Sequence, residues 1–265
     1  MISKIELDIL RQKLQNQYTT DEINGIILHL NDYQGPVSLD EISARLHQLE
    51  PVQYITQRAF FHRYTFHVNK HTLIPRPETE ELCELILNEH PNTPKHIIDL
   101  GTGSGCIPIT LLKERPNWTA MGLDISNDAL DVARNNAESL GVSNRLKFQL
   151  GDILKLHLLP KADIWISNPP YISIQEKSSL SNKVTLHEPH SALFAGEDPL
   201  IFYKKMATLF SEHTPLGEFW FEINQFLWEE TIAVFNSLKL EAKKIEDFSG
   251  NPRFIKVIKK VITQA

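Results

Sequence analysis

The spacing of apolar and polar positions divides the chain into two parts. In the first, apolar residues recur at helical intervals. Ile5, Ile9, Leu10 and Leu14 fall on one face of a helix, and Ile23, Ile26, Ile27 and Leu30 on one face of a second. Thr20 before Asp21-Glu22 is the expected N-cap of the second helix, with acids complementing its positive end, and Ser38 before Asp40-Glu41 repeats the pattern. Gly35-Pro36 punctuates between them. The period then changes. Phe60 to Val68 alternates aromatic and polar residues as a short hairpin does. Pro77, followed by Glu78, Glu80 and Glu81, opens a helix that reaches about Asn88. This predicts a small all-helical domain over residues 1–70, with a hairpin linker at about 60–74, and a larger domain over 75–265.

In the larger part, short apolar runs alternate with helical patterns. Strands are expected at His96–Leu100, Thr119–Asp124, Leu146–Leu150, Ala162–Ser167 and Phe219–Ile223, with helices over Ile107–Lys113, Ser126–Ser139 and from near Leu200. Two strand-like runs, Ala242–Ile245 and Phe254–Val261, are separated only by the turn Ser249-Gly250-Asn251-Pro252, which predicts an antiparallel terminal pair. Alternation of this kind predicts an α/β fold, a doubly wound, Rossmann-like and mostly parallel sheet covered by helices on both faces.

The unusual chemistry clusters at predicted strand ends. The run Ala162-Asp163-Ile164-Trp165-Ile166-Ser167 breaks at Asn168-Pro169-Pro170-Tyr171, where two prolines cannot donate to a ladder. The chain leaves the sheet there in a stiff turn. Asn168 Oδ1 and the Pro169 carbonyl can each accept an N–H from a planar NH2 group, while the Tyr171 ring lies against its flat face. These residues, with Pro170, are the candidate substrate contacts, and Asn168, Pro169 and Tyr171 the candidate catalytic set. Arg76, held out of regular structure between Pro75 and Pro77, is a candidate for meeting an anionic group near the site.

The other ends point to a cofactor. Gly101-Thr102-Gly103-Ser104-Gly105 lets the backbone approach a ligand and turn sharply into a helix. Asp124, 19 positions after Gly105, can take both hydroxyls of a ribose. Asp152 can accept from an adenine amino group, with the Ile153 N–H on a ring nitrogen. The glycine spacing is G-x-G-x-G, with Cys106 where the nicotinamide fingerprint carries its third glycine. Asp99, two positions before the first glycine, suits the ammonium of an adenosyl amino acid. The expected cofactor is therefore S-adenosylmethionine rather than NAD, with Asn168 also facing it. His187-Glu188-Pro189-His190 offers ligand types, but Pro189 breaks the helix and no further ligand is evident, so it is expected to form a substrate rim and no metal is expected.

Composition narrows the setting. The 265 residues are 42% hydrophobic and 23% charged, as in ordinary globular proteins, and no apolar run is long enough to span a membrane. The opening residues lack the apolar core of a signal peptide, and Cys83 and Cys106 are flanked by apolar residues. Two buried thiols in a reducing cytoplasm are expected. The formal charge of −6 argues against wholesale binding along a nucleic-acid backbone. The helical part, with 7 basic and 8 acidic residues in 1–70, reads as a docking module rather than a grip on a polyanion.

Taken together these motifs resemble the PrmC/HemK family, bacterial methyltransferases that modify the glutamine of the Gly-Gly-Gln motif in peptide chain release factors. The resemblance covers nearly the whole chain. It runs through Pro51-Val52-Gln53-Tyr54-Ile55, Leu73-Ile74-Pro75-Arg76-Pro77-Glu78-Thr79-Glu80, the stretch Asp99 to Gly105, Ser167 to Ile172, Glu188-Pro189 with Ala192 to Gly196, and Asp247 to Arg253. It implies a class I methyltransferase sheet, methylation of a glutamine side-chain nitrogen, a release factor as protein partner, no direct contact with nucleic acid, and a monomer. Gln57, Pro199 and Asn224 stand where the family usually carries glycine, and Gly217 stands alone where a pair is common. Asn-Pro-Pro-Tyr is shared with adenine-N6 DNA methyltransferases, which leaves a nucleic-acid methyltransferase as the alternative. A non-catalytic adenosyl-ligand regulator would not need the two amide acceptors.

Overall fold

The computed structural model describes residues 2–213 and 217–259. Helices α1 (Lys4–Leu14), α2 (Thr20–Leu30), α3 (Leu39–His47) and the short α4 (Val52–Thr56) come first. The N-cap of α2 is Thr19 rather than Thr20. Its hydroxyl accepts from Glu22 N–H, and the Glu22 carboxylate accepts from Thr19 N–H. That reciprocal pair needs an acid three positions on, where Thr20 has Ile23. In α1 the buried residues are Leu7, Leu10 and Leu14, whereas Ile5 and Ile9 are 73% and 47% exposed. The apolar residues of α1 cover more than one face, and the packed one includes Leu7. With Ile23, Ile26, Leu30, Ile42, Leu46, Val52 and Ile55 they form a core separate from that of the rest of the chain.

Gln57 caps α4 with φ 55°, so the left-handed turn expected of glycine forms here with a side chain present. Strands β1 (Arg58–Phe61) and β2 (Tyr64–His67) follow as an antiparallel hairpin. Phe61 and Phe66 insert into the core of the larger unit. Asn136 fastens the hairpin there: its Oδ1 accepts from His67 N–H at 2.7 Å, and its Nδ2 donates to the carbonyls of His67 and Ser104, each at 2.9 Å.

The larger unit runs α5 (Pro77–Glu89), β3 (His96–Leu100), α6 (Cys106–Glu114), β4 (Thr119–Asp124), α7 (Asn127–Ser139, capped by Ser126), β5 (Leu146–Leu150) and β6 (Ile164–Ser167). An excursion holds β7 (Ile172–Ser173), α8 (Asn182–His187), α9 (His190–Leu193) and β8 (Phe194–Gly196), with β7 and β8 paired parallel. The chain continues through α10 (Ile201–His213), β9 (Glu218–Glu222), α11 (Trp228–Ser237), β10 (Leu240–Glu246) and β11 (Pro252–Lys259). The last two residues of the expected closing strand, Lys260 and Val261, lie outside the described residues. Helix α11 was not expected. Its inward face is Trp228, Thr231, Ile232 and Phe235, a stripe at helical spacing that packs on the core.

Seven strands form one sheet in the order β10-β11-β9-β6-β3-β4-β5. The five from β9 to β5 are parallel; β11 is antiparallel to β9 and to β10. Successive residues serve opposite faces. Ile97, Ile164, Ile166 and Trp220 pack with α5 and α6, while Ile98, Trp165, Phe219 and Phe221 pack with α10 and α11. Cys83 and Cys106 are buried and unpaired. The fold is the doubly wound α/β sheet with antiparallel closing strands, preceded by a helical unit.

Candidate active site

Strand order reverses between β3 and β6, so a crevice opens beyond their carboxyl ends. The N–H groups of Gly101 and Thr102 donate to the Leu123 carbonyl at 2.8 and 3.0 Å, pinning the glycine turn to the end of β4. Gly105 caps α6 with φ 78°, and a Cβ there would lie 3.2 Å from the Ala133 Cβ. Both the backbone angle and the close approach of α7 require glycine. Ser167 Oγ donates to the Leu100 carbonyl at 2.7 Å, holding the end of β6 against that of β3.

Two acids, Asp124 and Asp152, line this crevice, and a third, Asp99, is buried behind its wall. Asp99 is fully buried, and neither of its carboxylate oxygens has a hydrogen-bond partner among the described residues. Burial pushes its pKa from 3.8 to about 7; the nearby Thr102 hydroxyl opposes the rise and the charge of Asp124 adds to it. Asp124 is held by the backbone, with Gly103 N–H donating to one carboxylate oxygen at 2.8 Å and Ser126 N–H to the other at 2.9 Å. Each oxygen keeps capacity for a hydroxyl donor. Burial raises its pKa, and these N–H groups oppose the rise. Asp152 caps the short turn Ile153–Lys155 by accepting from Leu154 N–H at 2.9 Å.

A cavity of about 330 Å³ is lined by Gly101, Gly103, Asp124, Asp152, Ile153, Asn168 and Pro170, within the range of small-molecule sites. The structure thus brings seven of the fourteen residues singled out in the sequence onto one wall. Asp99, Thr102, Ser104 and Gly105 lie behind it, all buried, with Gly105 packed on α7. Pro169 is buried next to Asn168, and Tyr171 packs partly buried against the α10 side of the core. Its hydroxyl is held neutral, burial and the charge of Glu222 both raising its pKa. Asn168 Nδ2 donates to Thr79 Oγ1 at 3.2 Å, and Thr79 Oγ1 donates to Glu222 Oε2 at 2.7 Å.

Arg76 stands apart from this wall. Its guanidinium meets Glu188, which is only 4% exposed, at 2.6 and 2.7 Å, and both residues line a second cleft against the helical unit. The anionic group that Arg76 meets is therefore the protein's own, and the pair ties the linker to the excursion. His187 and His190 turn away from Glu188 to the carbonyls of Gln48 and Thr185. Among the described residues, Glu89, His90 and Glu218 also come close enough together to hold an ion. Lys256 already supplies a cation there, pairing with Glu89 and lying 2.9 Å from Glu218.

Sequence reasoning missed His71, Thr72 and Leu73 from the linker, Ser191 and Phe194 from the excursion, and Phe202, all of which line the cavity. It also missed Thr79 and Glu222. A lone acid ending the otherwise apolar strand Phe219-Trp220-Phe221 was the available signal for the latter.

A buried carboxylate without a partner, an acid with two oxygens fixed by backbone N–H groups, and an enclosed crevice at a glycine turn fit the ammonium, ribose and adenine of S-adenosylmethionine. The comparisons agree. A family model described as Methyltransferase domain matches residues 91–246. The catalytic domain of hMettl16, solved in complex with MAT2A 3′UTR hairpin 6, is similar in fold, with a TM-score of 0.57 over 73% of this chain and 74% of that one at 15% identity. Among curated relatives, a release factor glutamine methyltransferase of Enterococcus faecalis is 38% identical, covering 86% of this chain and 83% of its own length. One of Bacteroides thetaiotaomicron is 35% identical, covering 93% and 96%. On likeness of that extent, the chain belongs to the release factor glutamine methyltransferase family of S-adenosylmethionine-dependent enzymes.

Proposed function

We propose that this enzyme methylates the side-chain amide nitrogen of the glutamine in the Gly-Gly-Gln motif of peptide chain release factors, in the cytoplasm. The observation that carries the reading is the setting of Asn168. It stands at the cavity wall with its Nδ2 engaged by Thr79, which leaves Oδ1 as an acceptor for a substrate N–H.

S-adenosylmethionine, when bound, supplies an electrophilic methyl group on a sulfonium. Asp99, Asp124 and Asp152 are the residues that would hold it. An amide nitrogen is a poor nucleophile because its lone pair is delocalised into the carbonyl. Asn168 Oδ1 and the Pro169 carbonyl accept both of its N–H bonds, which fixes the group in one orientation. As the nitrogen gains positive charge these acceptors bind it more strongly, so their effect falls on the transition state. Tyr171, neutral and half-buried, sets the plane of the amide. Among the described residues none is assigned as a strong base, and the surplus proton leaves after the nitrogen has become a cation.

The helical unit is the proposed dock for the protein substrate. Its α1 leaves Ile5 and Ile9 exposed one turn apart, an apolar strip on an otherwise polar face. Methyl transfer from labelled cofactor to purified release factors, run beside duplex DNA and ribosomal RNA, tests the reading. Label is expected in release factors alone, and label in adenine would replace this reading with the nucleic-acid one.

A further inference from the structure

An asparagine amide can face a cavity with either end, and only the oxygen serves as an acceptor. We infer that Thr79 and Glu222 are positioning residues that fix this choice, so that the orientation of Asn168 is set by the charge on a carboxylate it does not touch. The inference rests on the acceptor role of Asn168 proposed above.

A hydroxyl has one proton. Thr79 Oγ1 lies 2.7 Å from Glu222 Oε2 and 3.2 Å from Asn168 Nδ2. An ionised carboxylate only accepts, so the Thr79 proton goes to Glu222. Thr79 then has only lone pairs to offer Asn168, which must answer with its NH2 and turn Oδ1 the other way. The flipped amide would set its oxygen against the oxygen of Thr79, losing one hydrogen bond and leaving buried acceptors opposed. Thr79 sits in the first turn of α5 and Glu222 at the carboxyl end of β9. Both are almost fully buried, so water does not compete for the relay.

Protonation of Glu222 lifts this constraint. The carboxyl can then donate to Thr79, whose hydroxyl is freed to donate to Asn168 Oδ1; an asparagine held that way presents NH2 to the cavity, donor against donor with a substrate amide. Burial holds the pKa of Glu222 at about 7, where this change matters. The groups around it act in both directions. Thr79 and Arg253 of β11 favour the ionised form, Glu78 of α5 opposes it, and Arg76 favours it. The neutral hydroxyls of Tyr171 and Tyr203 and the Cys106 thiol also face it, and the Tyr203 hydroxyl donates to the Glu222 carbonyl at 2.9 Å.

The test is steady-state methyl transfer to purified release factor at saturating cofactor across neutral pH, with cofactor affinity measured by calorimetry. Thr79→Val should lower kcat about tenfold or more while cofactor affinity and the KM for release factor stay within about twofold. Thr79→Ser, which keeps the hydroxyl, should recover kcat to within about threefold. The wild-type kcat should rise with pH through an inflection near the Glu222 value, and Glu222→Gln should lack that inflection. Wild-type kcat in Thr79→Val, or the same inflection in Glu222→Gln, would overturn the inference. If Glu222→Gln does not fold, the Thr79 pair decides alone. A wild-type enzyme inactive on release factors would instead remove the proposed function, so the two failures are separable.

Discussion

Replacing Asp99 by asparagine should make the empty enzyme more stable and the cofactor bind more weakly, two effects of opposite sign from one change of charge. Asp99 is wholly buried with both oxygens unpartnered, and its pKa is raised from 3.8 to about 7. A group whose folded pKa lies above its unfolded value carries no penalty below the unfolded pKa, because both states are then protonated. The penalty grows as pH rises through 3.8 and is complete above about 7. At about 1.4 kcal/mol per tenfold, it amounts to on the order of 4 kcal/mol at about pH 8. Asparagine removes it but leaves an NH2 without a partner, a cost of about 1–3 kcal/mol. The net expectation is a gain of about 1–3 kcal/mol at about pH 8, seen as a rise in Tm of several degrees, and no gain near pH 4. Cofactor affinity should fall by about 1.5–3 kcal/mol, the loss of a hydrogen bond to a charged group. Thermal denaturation at both pH values without cofactor, and calorimetry of cofactor binding, read the two halves. An Asp99→Asn enzyme less stable than wild type at the higher pH, or one that binds the cofactor equally well, would refute the reasoning.

Other substitutions probe separate parts of the account. Asn168→Ala should leave cofactor affinity nearly unchanged while kcat falls by roughly two orders of magnitude, as when one transition-state hydrogen bond is lost; Asn168→Asp, which keeps an acceptor, should retain more activity, and steady-state kinetics with calorimetry check both. Asn136→Ala removes three hydrogen bonds between the hairpin, α7 and the glycine turn. It should destabilise the fold by about 2–4 kcal/mol in denaturant titrations. Gln57→Gly relieves a side chain held at φ 55° and should stabilise by up to about 1 kcal/mol, with a loss of stability counting against strain at that turn.

The parallel sheet was legible because its inner strands are buried on both faces and read as apolar runs, and because strands end in glycine, acid or Pro-Pro. Thr119–Asp124 and Leu146–Leu150 keep the bounds their sequence implies. The face of α1 was not legible, since Ile5 and Leu7 are equally apolar and only the packed partner helices choose between them. Helix α11 carries a period, Trp228, Ile232 and Phe235, that the reading of the sequence passed over. The residues that address the cavity from one strand end each could be found by motif. Their supports could not, because Thr79 and Glu222 are 143 positions apart and Arg76 and Glu188 are 112 apart. Neither pair has a local spacing to betray it. The left-handed Gln57 shows the reverse case, a turn that forms with a side chain where glycine is the residue expected.

The central claim is that a glutamine side-chain nitrogen receives the methyl group, and fragmentation mass spectrometry of the Gly-Gly-Gln peptide from a release factor treated with wild-type enzyme and S-adenosylmethionine tests it most directly. The account predicts one added methyl on the glutamine side-chain nitrogen, and none when that glutamine is replaced in the substrate. A peptide left unmodified by an enzyme that binds the cofactor, or a methyl group found on another residue, would contradict it.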